Sequence, residues 1–186
     1  MVATADGAIY AMRRSLFKEA DSDLIQDFMH PILVSLQGAQ SVMSRDAVCF
    51  EEFSTAGEFA RQVRMVAMAA AVYFRFLPDL IRSGCWRSVL VLTSHKMLRW
   101  LTAPLVGFAT LATIALAHLG GIYRAALGGE ILFAIVAGMG MAARRRGLEG
   151  KVTFAYQFAV LNCAQAIGLW RCFSGQVPVV WKPRNL

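Results

Sequence analysis

Cysteine pairs spaced for a metal or a redox site are missing from this 186-residue chain. Its four cysteines, Cys49, Cys85, Cys163 and Cys172, stand far apart with no CxxC among them. His30, His95 and His118 show no metal-ligand spacing either. Together these absences argue against a zinc module and a disulfide framework, and they leave reduced, structural thiols as the expectation. An apolar signal-peptide core is also lacking in the opening MVATADGAIYAMRR, which places the first residues on the cytosolic side. Acidic residues are few, 12 against 19 Lys and Arg, for a net charge of +7. The basic residues lie beside apolar runs and form no Lys/Arg-rich tract interleaved with aromatics. Positive charge so placed flanks membrane helices, and no nucleic-acid partner is expected.

What the chain has in excess is apolar surface. Hydrophobic residues make up 57%, above the roughly 45–50% of soluble domains. They are unevenly placed, because residues 1–60 carry mixed charge whereas long stretches beyond residue 100 carry none. Three segments are candidates to cross a bilayer, which takes roughly 20 residues: 101–119 (LTAPLVGFATLATIALAHL), 123–143 (YRAALGGEILFAIVAGMGMAA) and 152–170 (VTFAYQFAVLNCAQAIGLW). The connection RRRGLEGK, with Arg144, Arg145, Arg146 and Lys151, is then cytosolic, and so is the stretch before residue 101. The tail, with Lys182 and Arg184, fits less well, leaving open whether the third segment fully crosses. Glu130 lies inside the second segment, and bonding to a neighbouring helix accounts for it, as it does for Gln157, Asn162 and Gln165 in the third.

The first hundred residues divide into a mixed α/β part, 1–55, and amphipathic interfacial helices, 56–100, ahead of the membrane region 101–186. ADGAIYAMRRSLF predicts a short strand and then a helix from near Arg13. DSDLIQDFMHPILVSLQG has helical spacing at Leu24, Ile25, Phe28, Met29, Ile32, Leu33 and Leu36, with Asp21 or Ser22 as cap and Gly38 as stop. AQSVMSRDAVCFEE predicts two short strands. FSTAGEFARQVRMVAMAAAVYFRFLPDL is the clearest amphipathic helix, with Arg61, Arg64 and Arg75 on one side and Phe59, Val63, Val66, Ala70, Phe74 and Leu77 on the other. In SHKMLRWLTAP, Lys96 and Arg99 share one face, and Met97 and Leu101 share another with Trp100 beside them, which suits membrane anchoring by Lys96, Arg99 and Trp100 at headgroup level.

These stretches, in this order, resemble the C-terminal half of family 2, membrane-integrated glycosyltransferases, the group of cellulose and hyaluronan synthases and related exopolysaccharide enzymes. ADGAIYAMRRSLF, DLIQDFMHP, AVCFEE, EFARQVRM, SHKMLRWL-AP and VVWKP carry the resemblance across nearly the whole chain. It implies an incomplete GT-A-like half followed by interfacial helices and a bundle of two to three transmembrane helices. It further implies an inverting transfer of a sugar from a nucleotide-sugar donor to a polysaccharide or lipid acceptor, in the bacterial inner (plasma) membrane. One carboxylate acts as base, because the attacking hydroxyl must lose its proton as the new bond forms.

Asp27 in IQDF matches the final Asp of the family's (T/N)-(E/D)-D pattern, and is the expected base. Gln26 stands where the pattern has an acid, and Asp23 is assigned to support Asp27. The pair Asp21 and Asp23 follows FKEA, without the apolar strand that precedes the family's cation-binding DxD, so it reads as a cap and loop. RQVRM at residues 61–65 lies where processive members carry QxxRW, which assigns Arg61 and Arg64 to the diphosphate, with Met65 replacing the Trp. Arg13 and Arg14 match a basic pair near the acceptor, and Gly7 admits close approach of backbone to sugar. A divalent cation, magnesium or manganese, is expected for the complete enzyme, with no ligands identified in this chain. The family's donor-binding half has no counterpart here, so the chain is expected to be inactive alone. The expected partners are membrane lipid, together with nucleotide sugar and glycan acceptor once that half is supplied. A non-catalytic scaffold, or a decayed relative within a polysaccharide-synthesis complex, is the alternative. A transporter, for which Glu130 is the one ionisable group, ranks last.

Overall fold

The computed structural model describes residues 9–19, 24–44, 46–50, 57–148 and 150–177. Among them are six helices, a single 3-10 turn and no strand, which corrects the α/β expectation for the cytosolic part. Residues 9–13 take no regular structure, and among the described residues no strand lies alongside to take up their backbone N–H and C=O groups. A lone strand is not stable, since its hydrogen bonds must go to a partner. The helix expected from near Arg13 shrinks to the turn Arg14–Leu16. Residues 39–44 and 46–50 are irregular, and Phe50 is 93% exposed. Among the described residues their apolar side chains have no sheet to pack on, so the two strand-like pieces do not become strands.

The chain divides into two units, Met1–Arg99 with Gly168–Leu186, and Trp100–Ile167. In the first, helix α1 spans Gln26–Leu36 and enters from Ile25 without a side-chain cap. The proposed caps, Asp21 and Ser22, lie outside the described residues. Pro31 sits inside α1 and has no N–H to offer the Asp27 carbonyl four residues back. The helix stops as its sequence predicts: Gly38 takes φ +75°, and the Ala39 N–H closes on the Val34 carbonyl at 3.1 Å.

Helix α2, Glu58–Arg82, is the amphipathic helix foreseen, and buries Val63, Val66, Ala70 and Val72. It packs against α1, whose Phe28, Met29 and Ile32 are buried, and against α3, Trp86–Trp100. Within α3 the residues Thr93–Met97 form a π turn, and the Thr93 hydroxyl lies 2.9 Å from that of Tyr73 on α2. Gly168 belongs to the same unit. A Cβ there would stand 2.7 Å from the Val63 carbonyl oxygen and 2.8 Å from the Val66 Cβ. Only glycine admits that approach, and Phe173 extends the contact to Phe74 at 5.1 Å between ring centres.

The second unit holds α4, Thr102–Leu116, α5, Gly121–Arg145, and most of α6, Lys151–Phe173. Among the described residues only α5 is both long and apolar enough, by itself, to cross a membrane, which corrects the bundle of two to three spans. Its 25 residues rise about 37 Å, against roughly 30 Å of hydrocarbon. The 15 residues of α4 fall short unless joined to α3 across the break at Leu101. Helix α6 is long enough, but Gln157, Asn162 and Gln165 dilute its apolar character. Glu130 of α5 faces α4, where the Thr113 hydroxyl lies 3.2 and 3.3 Å from its two oxygens.

Candidate functional site around Asp27

Asp27 occupies the first turn of α1, half-buried, where unpaired backbone N–H groups favour a negative charge. Three residues on, and so on the same face, comes His30, 3% exposed. The Tyr10 hydroxyl lies 2.9 Å from His30 Nδ1, and the Phe17 ring stands 5.5 Å from the imidazole centre. Gln37, two turns further along α1, donates to the Leu16 carbonyl at 3.0 Å. Residues 10–17 are thereby tied alongside α1 by side chains at both ends. His30 Nε2 is buried with no hydrogen-bond partner among the described residues.

Two groups register the charge of Asp27. Burial raises the pKa of Tyr10 above its ordinary 10, and the Asp27 carboxylate raises it further by opposing a phenolate. Lys96, in the π turn of α3, has its pKa lowered, first by burial and next by the Arg99 guanidinium, while Asp27 pulls it back up. A carboxylate can accept the proton of an alcohol, and a phenol and an amine within its electrostatic reach can donate hydrogen bonds to that alcohol's oxygen. The polar groups needed for such a step therefore come from three separate segments: the N-terminal stretch, α1 and α3.

The other sequence candidates distribute more widely. Gly7 and Asp23 lie outside the described residues. Gln26 is exposed at the head of α1, and Arg13 and Arg14 are exposed at the 3-10 turn. Arg61 is held by Glu58 through two bonds of 2.8 and 2.9 Å, whereas Arg64 is half-buried on the same helix. Arg99 is exposed. Trp100 is only 2% exposed, so its indole is enclosed by protein, unlike the headgroup-level ring of the interfacial reading. Tyr10 and His30 are the residues that sequence reasoning passed over. The Asp27-x-x-His30 interval was a usable signal for His30, since it sets both on one helical face.

Among the described residues no three His, Cys, Asp or Glu side chains converge where a divalent cation could sit. No known protein family, curated protein or solved structure matches this chain.

Proposed function

We propose that the chain supplies the acceptor side and the membrane attachment of an inverting glycosyltransferase, working with a donor-binding half. Asp27 is the general base for the acceptor hydroxyl. The observation that carries this reading is the placement of Asp27 on the first turn of α1, with the Tyr10 phenol and the Lys96 amine both within its field. The ordered resemblance of the surrounding segments to family 2 enzymes supports it. Helix α5 suits attachment to a bacterial inner membrane with its C-terminal end cytosolic, because Arg144 and Arg145 lie in its last turn and Arg146 follows, and the N-terminal unit shares that side when α3 and α4 cross together as one bent span.

One observation favours a second reading, a non-catalytic scaffold in a polysaccharide-synthesis complex. The Arg61 fork is engaged by Glu58, and a guanidinium so occupied is less available to a diphosphate.

The test is release of nucleoside diphosphate from UDP-glucose and UDP-N-acetylglucosamine, measured in membranes holding the full chain together with a donor-binding half. Asp27→Asn is expected to cut the rate by about a hundredfold or more, the usual worth of a positioned base. A rate unchanged in that variant defeats the assignment, and release of no diphosphate in any pairing favours the scaffold.

A further inference from the structure

The connection between α5 and α6 is the most strongly charged stretch of the second unit. Arg144, Arg145, Arg146 and Lys151 fall within eight residues, against Glu149 alone. The Arg144 guanidinium lies 6.0 Å from the centre of the Tyr156 ring, which gathers the cations at one end of the α5–α6 pair. Beside them is an open hollow of about 470 Å³, lined by Gly150, Lys151, Thr153, Phe154 and Gln157.

The chemistry of that lining is mixed in a particular way. The Thr153 hydroxyl is already committed to the Gly150 carbonyl at 2.6 Å. That leaves the Lys151 ammonium and the Gln157 amide as polar groups facing outward, both on exposed residues. Phe154, 71% exposed, supplies an apolar wall next to them. The combination of a cation, a neutral hydrogen-bonding amide and an exposed phenyl matches a phosphate, a glycerol hydroxyl and the start of an acyl chain. The hollow also lies at the end of the helix fit to cross the bilayer, which is the depth at which headgroups lie.

We infer that this hollow binds the headgroup of an anionic phospholipid, with Lys151 on the phosphate, Gln157 on the glycerol and Phe154 against the chain. Arg144, Arg145 and Arg146 provide the surrounding positive field. The site is independent of the chemistry assigned to Asp27.

To test it, the full chain is reconstituted in phosphatidylcholine vesicles carrying spin-labelled phosphatidylglycerol or spin-labelled phosphatidylcholine. Electron spin resonance then reads the fraction of each label held immobile at the protein. Phosphatidylglycerol is expected to be preferred, and Lys151→Gln to reduce the preference about fivefold, the usual effect of one interfacial cation. Lys151→Arg keeps it, and so does Arg87→Gln, which lowers the net charge equally from an exposed position in the other unit. Equal retention of the two lipids overturns the inference, as does a preference that survives Lys151→Gln or falls as far with Arg87→Gln. Loss of the preference on adding inorganic phosphate at constant ionic strength assigns the hollow to a free anion and overturns the lipid. Should Lys151→Gln lose helicity by circular dichroism, Gln157→Leu, which leaves charge unaltered, is expected to weaken the preference, and its failure to do so overturns the inference.

Discussion

The Tyr10 hydroxyl and the His30 Nδ1 nitrogen lie 2.9 Å apart although twenty residues separate them in the chain. This bond fixes the stretch around Tyr10 beside the helix that carries Asp27. It makes Tyr10 a reporter of the carboxylate, because a phenol held in place responds to nearby charge through its ionisation.

Tyr10 is expected to ionise above pH 10, since burial and the Asp27 charge both disfavour the phenolate. A folded pKa above the unfolded one leaves stability intact below pH 10 and removes it as pH rises through the raised value. The difference in 295 nm absorbance between the protein and its Tyr10→Phe variant isolates this titration. In Asp27→Asn the midpoint is expected to fall toward 10, and a midpoint that stays in place separates the two residues.

Lys96 offers the complementary measurement. Asp27 pulls its pKa up against burial and Arg99, so Asp27→Asn is expected to lower it further. The pH dependence of Lys96 acylation by trace acetic anhydride, followed by peptide mass spectrometry, is expected to move to lower pH in the variant. No movement places the amine beyond the reach of the carboxylate.

Gly168→Ala sets two effects against each other. Alanine gains about 1 kcal/mol in helix propensity, but its Cβ meets the Val63 carbonyl at 2.7 Å, and overpacking costs about 1–3 kcal/mol. Backbone has little room to yield, so the clash is expected to win and the melting temperature to drop, further still for Gly168→Val. Gly129→Ala, which meets nothing within 4 Å, is expected to show no such loss.

Ile32→Ala is expected to destabilise the first unit by about 2–5 kcal/mol, because that side chain is 1% exposed in the α1–α2 contact. Phe50→Ser is expected to stay within about 0.5 kcal/mol, as an exposed side chain should. Denaturant unfolding compares the two. A large loss from Phe50→Ser means that this segment packs as the strand its pattern suggested.

Periodicity made α2 legible, since Val63, Val66 and Ala70 recur at the helical interval and all three are buried. Gly38 was legible as a stop because only a left-handed residue closes that turn without strain. Helix α5 was one of three segments read as spans, whereas 101–119, the one without charge, forms a helix too short to cross by itself. The strands failed for a different reason: a sequence pattern records only which side chains are apolar, and among the described residues 39–44 and 46–50 find no neighbour to complete a ladder. The site was half legible. Asp27 came from a motif, but its link to Tyr10 depends on a contact across twenty residues that no local pattern encodes. Lys96 was assigned to the lipid surface from its helical face, yet it lies within the field of Asp27, because α3 is not a regular helix throughout.

That irregularity has its own arithmetic. A π turn is in effect a one-residue insertion caught inside a helix, and it sets the downstream face about 100° out of phase with the upstream one. In Thr93–Met97 this phase slip separates the stretch that buries Leu92 from the one that bears Lys96. Excising a single residue such as His95 would restore a regular helix and swing the downstream amine by a quarter turn or more. Residue spacing in α3 therefore behaves as a dial, set by one amino acid too many, for the side of the helix on which Lys96 emerges.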